Sequence, residues 1–174
     1  MRNNNYVYKL SLVFLTILLS FNCSFSQKDN LIILHKDTLL AILEQFSFKN
    51  YFVGDDFPVK FYKKKTKAYR VPQGEKVLAY VDASILSNCK FGLVIGTRGL
   101  YINNSRTSSS PGTKYISYNT LKENDLVRID QNELKVEKTA IEVYGLGENE
   151  QIKLKALINQ IKNQLSDLDP LIKK

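Results

Sequence analysis

The chain of 174 residues is long enough for one domain with extra segments, and its 44% hydrophobic content supports an ordinary core. A charged fraction of 24% is close to average, which excludes wholesale disorder. The formal charge of +8 is uneven: Lys60, Lys63, Lys64, Lys65, Lys67 and Arg70 crowd into 11 residues while the remainder is nearly balanced. Such a run is either a solvated face or an attraction for anionic lipid, acidic polymer or nucleic acid.

Residues 1–26 read as an export signal. Arg2 and Lys9 form a positive leader and residues 10–21 (LSLVFLTILLSF) are apolar; Ser24-Phe25-Ser26 then supplies small residues before a cleavage point at Gln27. A helix that crosses a bilayer takes roughly 20 apolar residues, so this run is short for a permanent anchor. The alternatives are an uncleaved anchor and lipidation at Cys23. A bacterial lipobox wants Leu and a small residue where this chain has Ser20 and Asn22, which ranks lipidation below free secretion. With cleavage, Cys89 is the only cysteine and no internal disulfide can form. His35 is the only histidine, so neither a Cys–His pairing nor a metal-ligand spacing is expected.

In the mature chain, Leu39, Leu40, Ile42, Leu43 and Phe46 fall at helical spacing, with Asp37 or Thr38 placed to cap a helix that ends near Phe48. Lys49-Asn50, Gly54-Asp55-Asp56 and Pro58 break the pattern. Residues 57–70 (FPVKFYKKKTKAYR) fit a short helix or a basic surface segment equally well, and Pro72-Gln73-Gly74 marks a boundary.

Beyond Gly74 the period changes to two. Strands are expected at 76–83, 91–97, 100–104, 114–118, 126–129, 133–136 and 140–144, with 84–90 and 106–113 as polar connections. Arg98-Gly99 reads as a tight hairpin turn in which Gly99 supplies positive φ, and Gln131-Asn132 as another turn. From Glu148 the period returns to 3.6. Leu154, Leu157, Ile158, Ile161 and Leu165 make one stripe, Glu148 and Glu150 sit at the positive end of the helix dipole, and Pro170 stops the helix. The expected class is α+β: a bent antiparallel sheet or partly open barrel of about seven strands, capped by a C-terminal helix and preceded by a short helix. The domain plan is a signal at 1–26, a helical and basic segment at 27–72, the β domain with its helix at 73–168, and a tail at 169–174.

The stretch KVLAYVDASILSNCKFGLVIGTRGLYINNS, followed by KYISYNTLKENDL and the helix EQIKLKALINQIKNQL, resembles small bacterial pleckstrin-homology-like (PH-like) modules over residues 73–166. A strand ending in Asp82, a hairpin with Gly92, Thr97, Gly99 and Tyr101, and an aromatic strand with Ser117-Tyr118 carry the likeness. It implies that bent-sheet fold and a binding or scaffolding role, and no activity, because the fold hosts many jobs. The 84–90 connection has only Lys90 as a basic residue, so phosphoinositide recognition is not implied. The resembling modules are often intracellular or membrane-tethered, whereas this chain begins with an export signal.

The expected function is therefore that of an exported, non-enzymatic module of the cell envelope, periplasmic or secreted, that contacts a protein or peptide or an anionic surface. An open sheet edge would accept an added strand. Lys60, Lys63, Lys64, Lys65, Lys67 and Arg70 are the candidate contacts with anionic lipid or envelope polymer. Export argues against nucleic acid, although aromatics interleave with the lysines. An enzyme would need a carboxylate pair or a base in a pocket. Asp55-Asp56 read as a polar turn, Asp82 as the tie of a neighbouring turn, and Ser108–110 as a loop without a nearby base. No catalytic residue, metal or cofactor is assigned.

Overall fold

The computed structural model describes residues 32–128 and 132–167, with backbone alone at 63–66, 127 and 128. The expected export signal, Cys23, Gln131 and Pro170 lie outside these residues. In chain order the elements are α1 (Lys36–Leu43), β1 (Tyr51–Val53), α2 (Val59–Tyr69), β2 (Val77–Asp82), β3 (Gly92–Gly96), β4 (Gly99–Asn104) and β5 (Gly112–Ser117). Then follow α3 (Tyr118–Glu123), β6 (Leu126–Arg128), β7 (Glu133–Val136), β8 (Thr139–Glu142) and α4 (Glu148–Asp167).

All pairings are antiparallel. The α+β class and the closing helix agree with expectation; the single layer of about seven strands does not. The strands divide into a sheet of order β1-β2-β3-β4-β5 and a second of order β6-β7-β8, with no closed barrel among the described residues. The cause is local. The Ser117 hydroxyl accepts the Thr120 N–H at 3.1 Å and starts α3, so Tyr118 turns into a helix and β5 ends as a sheet edge.

The central strands β2, β3 and β4 of the five-stranded sheet are covered on both faces, which is why they read as nearly continuous apolar runs. On the inner face Ala79, Val81, Leu93, Ile95, Leu100, Ile102 and Ile116 are buried against Leu134, Val136 and Ile141 of the second sheet. The α4 stripe of Leu154, Leu157, Ile158, Ile161 and Leu165, and Leu39, Ile42 and Leu43 of α1, complete this core. Each of these Val, Leu and Ile side chains contributes about 1.5–3 kcal/mol of burial free energy.

The outer face carries one row across all five strands, since Phe52 pairs with Tyr80, Tyr80 with Val94, Val94 with Tyr101 and Tyr101 with Tyr115. α2 lies over this row. Phe61 stacks on Tyr80 at 4.4 Å between ring centroids, and the Tyr69 and Tyr80 hydroxyls pair at 3.1 Å. This second core resolves the choice at 57–70 in favour of a helix. Phe57, Phe61 and Tyr69 recur at four- and eight-residue spacing and are buried together.

Three further expectations are corrected. The first helix ends at Leu43, short of Phe48, because the Tyr51 hydroxyl donates to the Leu43 carbonyl at 2.9 Å and Phe48 turns to stack on Tyr51 at 4.5 Å. Its N-cap is His35, without a side-chain cap, rather than Asp37 or Thr38. Gly99 does take the expected positive φ, at 156, but it is not in the turn, which is Thr97-Arg98; it pairs with Ser117 inside β4, where a Cβ would run into the Ile116 carbonyl. The turn is instead held by Glu75, whose carboxylate accepts from Thr97 Oγ1 at 3.2 Å and Arg98 N at 3.1 Å and lies 3.3 Å from Arg98 Nε.

Candidate functional site

A cleft of 780 Å³ opens where the ends of β2, β3, β4 and β8 meet, lined by Ile85, Leu86, Phe91, Ser105, Glu142 and Tyr144 among others. Beside it the Gly145 N–H donates to the carbonyl of the lining residue Ala83 at 2.9 Å.

One wall is the β2–β3 connection, and its backbone is locked. Asp82, 2% exposed, accepts the Ser84 N–H on one oxygen and the Cys89 N–H on the other, each at 2.9 Å. The Ser84 hydroxyl accepts from Lys90 N at 3.1 Å and Phe91 N at 3.0 Å and donates to the Phe91 carbonyl at 3.2 Å. Ser87 and Cys89 are held at φ 44 and φ 56, in the left-handed region that non-glycine residues occupy only when their surroundings impose it. On this frame Ile85 is 70% and Leu86 80% exposed, and Tyr144 stands opposite at 55%.

The other wall is the serine-rich β4–β5 loop, tied to two facing glutamates. Glu133 and Glu142 are cross-strand partners on β7 and β8. Glu142 accepts from Ser105 N and from Ser105 Oγ. Glu133 accepts from Ser108 Oγ at 2.6 Å, Ser109 N at 2.8 Å and Ser109 Oγ at 2.5 Å. Burial opposes charge on Glu133, but the hydrogen bonds from Ser108 and Ser109 outweigh it and hold the carboxyl below its ordinary value. The reading of Ser108–110 as lacking a nearby carboxylate is therefore corrected for Ser108 and Ser109, which Glu133 reaches from 25 and 24 residues away in sequence. A carboxylate held charged in this way is a weak base, and its oxygens serve to fasten the loop.

The remaining sequence candidates are dispersed. Asp55 and Asp56 are exposed beside β1, on a separate groove shared with Lys36 and Lys76. Asp82 does tie the neighbouring turn. Lys60, Lys63, Lys64, Lys65 and Lys67 lie on α2 and Arg70 is its C-cap; Lys60, Lys67 and Arg70 are exposed, and the side chains of Lys63, Lys64 and Lys65 are outside the description. None of these lines the cleft. Among the described residues no group of three His, Cys, Asp or Glu is placed to hold a metal ion. No described helix is long and apolar enough to cross a membrane.

The reading of 84–90 as a merely polar connection missed the site. Its signal is the pair Ile85-Leu86 within SILSNCK, two large aliphatics flanked by loop-forming residues.

These features define a class: a two-sheet α+β domain with a preformed, partly apolar cleft at one end. Comparison with known proteins finds no matching family model, no matching curated protein and no matching solved structure.

Proposed function

We propose that the protein is an exported, non-enzymatic binding module of the cell envelope, PH-like in plan, that receives an apolar segment of a protein partner in the cleft. One observation carries the reading: a loop whose backbone is fixed by Asp82 and Ser84 holds Ile85 and Leu86 in water. Exposed aliphatics on a mobile loop would cost ordering entropy on contact; on this loop that cost is already met in the free protein, so they are efficient anchors. The PH-like plan is supported by the order of a four-strand meander β2 to β5, a three-strand meander β6 to β8 and a closing helix.

The test places a photo-crosslinking residue at Leu86 in the native host. The reading expects an envelope-protein adduct of discrete mass that disappears with Tyr144→Asp while thermal unfolding of that variant is unchanged. Adducts to lipid alone, or none, refute it. Mass spectrometry of the native N-terminus tests export separately, with Gln27 as the expected first residue.

A second reading keeps the same fold and places the contact on an anionic surface. It is favoured by α2, where Val59 is 72% and Tyr62 48% exposed beside Lys60 and Lys67. Basic residues near such a surface contribute about 1 kcal/mol each. This reading expects sedimentation with anionic vesicles at low salt and its loss at about 1 M salt, where screening reaches a few ångströms; binding that persists there refutes it.

A further inference from the structure

A sheet edge exposes N–H and C=O groups that either find a partner or must be protected. Three of the four edges here are dealt with internally. β1 is three residues long and closed by its flanking turns, the Tyr51 N–H donating to the Phe48 carbonyl at 3.2 Å and the Asp56 N–H to the Val53 carbonyl at 3.4 Å. β8 is engaged by Asn104, which donates to the Ala140 carbonyl at 2.8 Å and accepts the Glu142 N–H at 2.9 Å. β6 has only three residues. β5 differs: six residues long, it pairs with β4 on one side, and its other side has no backbone partner among the described residues.

The side chains along β5 say what fits there. Lys114 lies opposite Ile102, in the row of core-facing positions, and has no ion-pair partner among the described residues. A lysine pointing to the core side of an edge disfavours an apolar strand, and disfavours a second copy presenting the same lysine. It favours a strand with a carboxylate opposite, because facing opposite charges stabilise a cross-strand pair. On the outer face the aromatic row ends at Tyr115, 45% exposed, its ring 4.9 Å from Tyr101. An aromatic or β-branched residue on an added strand would continue that row. α2, which carries the exposed Lys60 and Lys67, lies against β4 and β5, so this helix adds positive charge to that side of the sheet.

We propose that β5 is a docking edge for an acidic, extended segment of a partner protein, added as a sixth strand with a carboxylate facing Lys114 and an aromatic or β-branched side chain beside Tyr115. The proposal rests on the binding-module reading but on a different surface from the cleft.

The probe is the capped peptide acetyl-Glu-Tyr-Glu-Val-Glu-Thr-amide, titrated into the full chain with affinity read by fluorescence anisotropy and position by amide shifts. Shifts are expected along 112–117. Lys114→Glu should weaken binding about five- to tenfold and restore it for the same peptide with Lys in place of Glu. Lys114→Gln, which keeps the side-chain length close, should fall between. A probe of equal charge with Pro in place of Val should bind at least about tenfold more weakly, because Pro cannot donate to the ladder. Equal affinities of wild type and Lys114→Glu, or of the two acidic probes, overturn the proposal and leave a bulk attraction of acidic material to a basic protein. Leu86→Asp should leave the affinity unchanged; a loss there in place of Lys114→Glu moves the peptide to the cleft and also overturns the edge.

Discussion

Asp82 shows how one side chain sets a loop. Each of its oxygens accepts a backbone N–H at 2.9 Å, and the group is 2% exposed. Asp82→Ala leaves two donors without a partner in a buried place, at about 1–3 kcal/mol each. The expected result is a loss of about 2–6 kcal/mol in urea unfolding, with exchange broadening confined to 84–90. Glu133 makes a parallel case on the other wall. Its folded carboxyl is held below the ordinary value by its serine partners, so its stabilisation is present above the unfolded carboxyl pKa and is lost as pH falls through the folded value. Acid titration of stability should therefore be shallower below about pH 4.3 in Glu133→Gln than in wild type. Equal profiles would show that the Ser108–Ser109 bonds do not favour the charged form.

At the scale of elements, α2 is held by its aromatics and not by its charges. Phe61 is fully buried and touches Phe57, Tyr69 and Tyr80, whereas Lys60 is exposed. Phe61→Ala should cost about 3–5 kcal/mol and Lys60→Ala less than about 0.5 kcal/mol, both measured by urea unfolding. A large effect of Lys60→Ala would mean that its ammonium has a structural partner. The helix was only half legible in the sequence because its apolar positions are few and separated by lysines. What settles it is a second hydrophobic surface on the sheet, and the strand alternation alone does not say which face is left uncovered.

For the whole molecule, one link between the two sheets, beside their shared apolar core, is a buried side chain. The Asn104 amide joins β4 to β8 through the Ala140 carbonyl and the Glu142 N–H and also reaches the Ser110 carbonyl at 2.7 Å. At 3% exposure, its removal leaves the two buried groups on β8 without their partner. Asn104→Ala should cost about 2–4 kcal/mol and lower hydrogen-exchange protection in β7 and β8 more than in β2 and β3. Uniform loss across both sheets would mean that they unfold as one cooperative unit whatever joins them.

The period-two runs from 76 to 144, the α4 stripe and the turn-forming Asp82 were all legible from residues alone, because each depends on neighbours within a few positions. The three-residue β1 was not; it exists because β2 offers it an edge. Nor was the division into two sheets legible, since it follows from Ser117 capping a helix in a stretch whose alternation also suits a strand. The cleft escaped for the same reason: Ile85 and Leu86 resemble ordinary core residues until Asp82 and Ser84 fix the loop facing outward. The sequence by itself determined the local periods and the turns, which arise from steric and solvation preferences along the chain. Only the tertiary structure decided which apolar side chains find partners and which are left in water, because that depends on surfaces brought together from distant positions.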